Sequence, residues 1–439
     1  MSVKPTERAG GLLRVWRHIL AAFEIVRHYP IIIPLALITL IDEINYSGLN
    51  NVALPAYIGT LGLPLKVSGG VLASYLGTDG GLVAIIASTF LFSETLFRLP
   101  TGWLSDRLGR INLIIGAMFL SAPSFFLSWW VPNYLWLIPL RLWDGMMAAA
   151  LWTSVYAVIG DAVPERFRAN AMGFINMMYM LGLLSGYAIA GGIDKMTGQP
   201  RMFLLVSAGL VAVAAVAAWL FFRRRPEYNT PHPDVHLEEA EKAAISVSRH
   251  SVLLLITFSQ NFALTMIAPF MYRYARDSVA KGGLGLTSAQ LLLLVGVPVL
   301  GVAIFAVPLS RVADRVGKLT AVRVGFTAVA ATLWIFSFTR ELWVLSLVAT
   351  VVGVAFSMGV PAWLAILSSL TSSKTRGATL GGYGAVQGIA AVLGPLVSGP
   401  FIWGHYGHAS IFLASALVLA FAALLAWFAL PEPQKTLAA

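Results

Sequence analysis

The chain has no cysteine. That removes disulfides, thiolate catalysis and cysteine-based metal sites together. Charge is also scarce: 11% of the 439 residues are Asp, Glu, Lys or Arg, against about 25% in a soluble domain. No cluster with metal-ligand spacing, no nucleophile elbow and no aspartate-rich motif is present, so an enzyme is not expected. A Gly-x-x-x-x-Gly-Lys-[Ser/Thr] phosphate loop is missing as well, which argues against an ATP-driven pump. The N-terminus lacks a short apolar core followed by a small-residue cleavage site, so no signal peptide is expected. What fills the chain is apolar: 58% of residues are hydrophobic and mean hydropathy is +0.78. Long runs of that composition mark a polytopic membrane protein.

The chain is organised around one motif and its echo. Gly102-Trp103-Leu104-Ser105-Asp106-Arg107-Leu108-Gly109-Arg110 reads as a charged turn between two apolar runs. Ser310-Arg311-Val312-Ala313-Asp314-Arg315-Val316-Gly317-Lys318 repeats it 208 residues later. The same offset carries Pro100 to Pro308, Gly145 to Gly353, Arg168 to Arg376, Gly173 to Gly381, Gly186 to Gly394 and Gly191 to Gly399. A constant offset over so many positions indicates an internal duplication.

Apolar runs near the roughly 20 residues a bilayer requires fall at 31–57, 81–102, 111–131, 134–158, 168–192 and 202–222. They return at 251–274, 287–309, 319–339, 342–370, 378–402 and 409–430. The expected fold is all-α: 12 transmembrane helices in two pseudo-symmetric six-helix bundles, 30–222 and 251–431, joined by a linker at 223–250 and followed by a tail at 432–439. Within the linker, His236 to Lys242 reads as a short surface helix. Residues 1–29 hold an amphipathic interfacial helix over 11–28, with Leu12, Trp16, Ile19, Phe23 and Val26 as its apolar stripe. Lysines and arginines favour one set of loops by about three to one, which places both termini and the linker in the cytoplasm. The net charge of +10 is explained by those loops, so nucleic acid is not an expected partner.

Twelve spans in two halves, with Gly-x-Leu-Ser-Asp-Arg-x-Gly-Arg between spans two and three and a degraded copy between spans eight and nine, resemble a major facilitator superfamily transporter. The resemblance implies alternating access, in which two bundles rock about a central site. It assigns Gly102, Asp106, Arg107, Gly109, Arg110, Asp314 and Arg315 to conformational switching. In physical terms, Gly102 and Gly109 permit a tight reversal, Asp106 meets the positive end of a neighbouring helix, and Arg107 and Arg110 meet acids and lipid phosphates. Arg141-Leu142-Trp143-Asp144-Gly145 is similar to the family's fourth-helix pattern. Gly182, Gly186, Gly191 and Gly192 resemble the antiporter motif of the fifth helix, with Tyr187 where that motif has proline. Asn51-Val52-Ala53-Leu54-Pro55 resembles a first-helix motif of drug–proton antiporters.

Charges inside spans point to coupling, because each costs at least about 2.5–3.5 kcal/mol at mid-membrane unless paired or hydrated. Asp42, Glu43, Glu94, Arg141 and Asp144 are the candidates. With a rise of 1.5 Å per residue, Asp42 and Arg141 both lie about 12 Å below the outer face, so an ion pair from Asp42 or Glu43 to Arg141 is expected. Glu94 has Arg98 one turn away. At offset 208, Glu94, Arg98, Arg141 and Asp144 become Val302, Ala306, Ala349 and Val352. The second half drops these charges, which suggests that the first carries the coupling. The expected cavity wall comprises Asn45, Tyr46, Asn50, Arg98, Trp152, Tyr156, Asn176 and Tyr179 from the first half. The second supplies Gln260, Asn261, Trp363, Tyr383 and Gln387. Such an aromatic-rich wall suits lipophilic ligands.

The leading expectation is proton-coupled antiport exporting lipophilic small molecules or drugs. A lipid or lysolipid translocator, or a proton-coupled sugar or organic-anion importer, stay open as alternatives. The proton is the expected coupling ion, with no other cofactor and no metal. Membrane lipids and a small-molecule substrate are the expected partners, a monomer the expected state, and a bacterial inner (plasma) membrane the expected location.

Overall fold

In hydrocarbon every backbone N–H and C=O must be satisfied within the chain, which leaves helices as the economical solution for runs such as these. The structure, a computed structural model, describes residues 28–58, 60–61, 75, 78–229, 251–369 and 376–430. Every regular element among them is helical. Nearly all of the expected interfacial helix over 11–28, the surface helix in the linker and the tail lie outside the described residues. So do the side chains of Asp314 and Arg315.

In chain order the first half comprises α1 (Ile32–Ile58), α2 (Asp79–Leu108), α3 (Arg110–Trp129), α4 (Tyr134–Ala162), α5 (Glu165–Thr197) and α6 (Met202–Phe222). The second comprises α7 (Ser251–Arg276), α8 (Ser288–Val316), α9 (Lys318–Phe338) and α10 (Leu342–Ser369). It ends with α11, from Arg376–Val397 through a π turn (Ser398–Trp403) to Gly404–Tyr406, and α12 (Ser410–Phe428). Ten of these have segments long and apolar enough to cross a membrane. The described parts of α8 and α10 give the shorter apolar stretches Ala289–Val302 and Leu342–Ala355. Exposed aromatic residues mark both ends of the bundle: Trp130, Trp136, Trp343 and Tyr406 at one, Trp103, Trp219 and Trp427 at the other. Belts of this kind belong at the two membrane–water interfaces.

The charged motif does not form a turn along its length. The α2 helix runs through Gly102 and Asp106 to Leu108, and the chain reverses at Gly109 alone, at φ +86°. Gly102 has open space around it and makes no turn. The reason is local. Trp103-Leu104-Ser105-Asp106-Arg107-Leu108 contains no breaker, so the helix continues until a residue tolerant of positive φ arrives. The second copy behaves alike: α8 ends at Val316 and the chain turns at Gly317, at φ +95°.

Packing repeats with the sequence. In the first half α1 packs on α5, α2 on α4, and α3 on α4 and α6. In the second, α7 packs on α11, α8 on α10, and α9 on α10 and α12. Close approaches recur residue for residue. Gly145 of α4 lies against the backbone of Phe90 and Glu94, and Gly353 of α10 lies against Pro298 and Val302, each 208 residues on. Gly186 of α5 lies against Ile44 and Ser47 of α1, and Gly394 of α11 lies against Phe262 and Thr265 of α7. Here the first helices are related by 218 residues rather than 208. The extra ten lie between α1 and α2. Small residues at these crossings let helices approach where lipid offers no hydrophobic drive.

The halves meet along α2–α11 and α5–α8. At the end holding Asp79 they are tied by several bonds. Arg273 reaches Asp79 at 3.2 Å, and the Tyr272 hydroxyl donates to Asp194 at 2.7 Å. Ser88 donates to the Val392 carbonyl at 2.8 Å, and Tyr75 to that of Leu396 at 3.0 Å. Gly80 abuts Gly399 and Trp403.

Candidate functional site

A cavity of about 640 Å³ opens between the halves. It is lined from α1 by Glu43 and Tyr46, from α2 by Phe90, Leu91, Glu94 and Arg98, and from α4 by Ala148, Trp152, Thr153 and Tyr156. Asn176 and Tyr179 of α5 and Asn261 of α7 complete it. Arg98, Tyr156 and Asn176 are its exposed walls, the first two towards the Gly109 end, while the Asp79 end is bonded shut. Nine of the residues singled out from the sequence meet here: Glu43, Tyr46, Glu94, Arg98, Trp152, Tyr156, Asn176, Tyr179 and Asn261. The aromatic wall is continuous, with ring centroids of Trp152 at 5.6 Å from Tyr156 and 5.9 Å from Tyr179. Phe90, Leu91, Ala148 and Thr153 were not anticipated. Phe90 and Leu91 sit one turn before Glu94, a spacing that could have indicated them.

Two acids face this space. Glu94 is held by Arg98 at 2.7 Å, the one-turn pair expected from the sequence. Glu43 is different. It is buried, and its Oε1 has no hydrogen-bond partner among the described residues. Its room is made by Gly182, whose missing side chain would overlap Glu43 Cβ and the Leu40 carbonyl.

The expected ion pair from Asp42 or Glu43 to Arg141 is not formed. Arg141, 1% exposed, donates to Asp144 at 2.8 Å and to Asn50 Oδ1 at 2.5 Å, and stacks over Phe90 with its guanidinium carbon 4.5 Å from the ring centre. Ser124 donates to the other Asp144 oxygen. Asp144 wins because it sits three residues away on the same helix, so little side-chain entropy is lost in pairing. The long arginine side chain then extends to Asn50, eight residues or about 12 Å along α1 from Asp42. Asp42 and Arg141 still share a second, smaller chamber of about 30 Å³, with Asn45, Asn50 and Asp144 in its wall.

Other expected wall residues fall elsewhere. Asn45 and Asn50 line that small chamber, their Nδ2 groups donating to the carbonyls one turn back. Trp363 is fully buried. It packs on Phe326 and donates to Thr257 at 3.2 Å, so it is core. Tyr383 is core as well, in the cluster with Ile256 and Leu253. Gln260 is buried outside the cavity lining, and Gln387 does not line it either. Hydrophobic periodicity could not separate these faces, because spans are apolar all round.

At the Gly109 end, Arg110 bridges Asp106 at 3.3 Å and Asp161 of α4 at 2.9 Å. Among the described residues Arg107 pairs with no acid; it stacks over Trp103 at 4.0 Å. Asp106 is engaged by Arg110, and the start of α3 is capped instead by Asn229, whose Oδ1 accepts from the N–H groups of Ile111 and Asn112 at 3.1 and 3.2 Å. Sequence reading missed Asn229, because nothing local connects the start of the linker to a turn 120 residues earlier.

Comparison with known proteins agrees with this architecture. The proton-coupled antiporter flippase LtaA of Staphylococcus saprophyticus is 25% identical over 348 residues, covering 78% of this chain and 84% of that protein. LtaA of Staphylococcus haemolyticus is 22% identical over 353 residues, covering 79% and 85%. Among solved structures, the nucleoside transporter NupG aligns with a TM-score of 0.70 at 13% identity, and the human organic anion transporter MFSD10 with 0.64 at 17%. Each alignment covers 90% of this chain and 98% of the other. These two likenesses concern the fold. The sequence profile of the Major Facilitator Superfamily matches residues 35–281 and 253–439. With the duplicated helix packing and the cavity between halves, that match makes the chain a multi-pass membrane transporter belonging to the Major Facilitator Superfamily.

Proposed function

We propose that this transporter is a proton-coupled antiporter that moves lipids between leaflets, with twelve spans, both termini in the cytoplasm and a cytoplasmic-membrane location. The observation that carries the coupling is Glu43, a buried carboxyl in the wall of the central cavity whose Oε1 has no hydrogen-bond partner among the described residues. An acid in that position is free to take and release a proton as the bundles rock. Glu94 and Arg98 neutralise one another, and Arg141 and Asp144 do the same behind the wall, so of the two acids lining the central cavity Glu43 is the one left to exchange. Asp42 serves beside it from the small chamber. Two things support a lipid cargo. The curated relatives are named flippases, and an apolar groove of about 200 Å³ lies on the α5–α8 seam, lined by Tyr187, Gly191, Gly192 and Leu292.

The test uses protein in liposomes with an internal pH dye and fluorescent lipids that an external reagent can quench. A pH gradient is expected to accelerate lipid exchange together with proton movement, and Glu43→Gln to abolish both. Gradient-driven movement of lipophilic cations without any lipid exchange would replace the flippase reading with drug export.

A further inference from the structure

Asp42 and Glu43 are neighbours in sequence but face different spaces. Successive side chains of a helix point about 100° apart. Glu43 lines the central cavity, and Asp42 lines the small chamber that also holds Arg141 and Asp144. Three residues line both spaces and so stand between them: Tyr46 of α1, Phe90 of α2 and Ala148 of α4. The Tyr46 and Phe90 rings are in contact, their centroids 5.5 Å apart. The Tyr46 hydroxyl feels Glu43 and Glu94 from the cavity and Arg141 from the chamber. Phe90 is 5% exposed and carries the Arg141 guanidinium 4.5 Å from its ring centre.

Backbone contacts fix this wall in place. Gly145 of α4 lets the Phe90 carbonyl come close, and the Ser93 hydroxyl, one turn on, donates to the Leu142 carbonyl at 2.5 Å. The helices that carry Phe90 and Arg141 therefore move as one. All three wall residues belong to the first half, so rocking of the halves does not by itself part them. The second half supplies the contrast. There Tyr46 and Phe90 correspond to Leu264 and Pro298, at offsets of 218 and 208, and Arg141 and Asp144 to Ala349 and Val352. Where the buried charges are missing, so are the rings.

Buried charges hold one another strongly only while water is kept away. Water entering from the cavity would hydrate Arg141 and Asp144 and open a proton path to Asp42 that needs no cargo. Building on the proton-coupled reading above, we propose that Tyr46 and Phe90 are positioning residues. Their rings close the small chamber against the cavity and hold Arg141 on Asp144 and Asn50, so that protons reach Asp42 only as the wall moves with cargo.

Thiol labelling tests the wall without requiring transport, since the chain has no cysteine of its own. Leu151, 3% exposed, lines the chamber and not the cavity, and Thr153 lines the cavity and not the chamber. Leu204 of α6, 1% exposed, lies away from both and reports any general loosening. Each is replaced singly by cysteine in full-length protein and exposed to aminoethyl methanethiosulfonate. Leu151→Cys is expected to react at least about tenfold more slowly than Thr153→Cys. Phe90→Ala or Tyr46→Ala should raise the Leu151→Cys rate at least about tenfold and leave Leu204→Cys unreactive, while Phe90→Tyr, which keeps the ring, should leave it slow. In liposomes Phe90→Ala should let protons run down an imposed gradient without lipid exchange, and Asp42→Asn in the same protein should stop that leak. The proposal is overturned if Leu151→Cys reacts like Thr153→Cys with both rings present, or if neither ring deletion raises its rate without raising that of Leu204→Cys. It is overturned equally if Phe90→Ala stays as tightly coupled as the wild type. Labelling as expected in a wild type that moves no protons would remove the proton-coupled reading and leave the wall standing.

Discussion

The bonds at the Asp79 end give the closed gate a strength that can be worked out and then removed. The ion pair from Arg273 to Asp79 spans 3.2 Å, with the two side chains 18% and 47% exposed. Half in water, it is worth about 0.5 kcal/mol. The Tyr272 hydroxyl is buried and donates to the Asp194 carboxylate at 2.7 Å. A hydrogen bond to a charged group contributes about 1.5 kcal/mol or more. Both form between halves, so both are lost when this end opens, and together they favour the closed gate by about 2 kcal/mol. Removing them by Arg273→Ala with Tyr272→Phe should shift the equilibrium about thirtyfold towards opening at the Asp79 end. The chain has no cysteine, so Ala148→Cys places one thiol in the cavity wall without competitors. A membrane-impermeant maleimide applied from the Asp79 side should then label the double variant faster than the parent by up to that factor. From the Gly109 side labelling should slow. Equal labelling in both backgrounds would mean that these two contacts do not hold the gate, and that the Ser88 and Tyr75 hydrogen bonds and the Gly80–Gly399 approach close it.

Arg141→Met should destabilise by about 3–5 kcal/mol, because Asp144 would be left buried without its cation, whereas Arg141→Met with Asp144→Leu should recover much of the loss in thermal melts. Gly109→Ala and Gly317→Ala should each cost about 1–2 kcal/mol for their left-handed backbone, the first more because Asn229 packs on it; Gly102→Ala, in open space within α2, should instead stabilise by up to about 1 kcal/mol. His408, in the loop before α12, stacks on Trp403 at 3.8 Å. Burial pushes its imidazole below the ordinary 6.5; nearby Asp277 pulls it back up, and Arg273 and Lys281 push it down again. A histidine that is harder to protonate when folded adds stability that is complete above the ordinary value and lost as pH falls below it. The Tm should therefore drop between pH 7.5 and 5.5, and His408→Gln should flatten that drop.

Much of the fold was legible because membrane spans advertise themselves and because one duplication was visible at a single offset. The reversals at Gly109 and Gly317 and the crossings at Gly145 and Gly353 all sit where offset 208 puts them. The first helices escaped it. Ten more residues separate α1 from α2 than α7 from α8, so the equivalence of Glu43 with Asn261 emerges from where Gly186 and Gly394 touch. Facing was the other limit. Trp363 and Tyr383 have the composition of a cavity wall, yet Phe326 and Thr257 cover one and Ile256 lies in the cluster around the other. Depth arithmetic put Arg141 level with Asp42 but could not weigh a competitor on its own helix.

The asymmetry that results has a mechanical meaning. A symmetric pair of acids at 43 and 261 would place two like groups across one cavity, each disfavouring charge on the other. Replacing one by a carboxamide keeps a polar contact on the second bundle and removes that repulsion. The first half then carries the proposed proton-exchanging acid and the buried network behind it, from Asn50 through Arg141 and Asp144 to Ser124. The second has Ala349 and Val352 where Arg141 and Asp144 stand, and packs there as hydrocarbon does. On the proposed reading, one bundle holds the chemistry and the other moves against it, and the cavity between them is where each can register the state of the other.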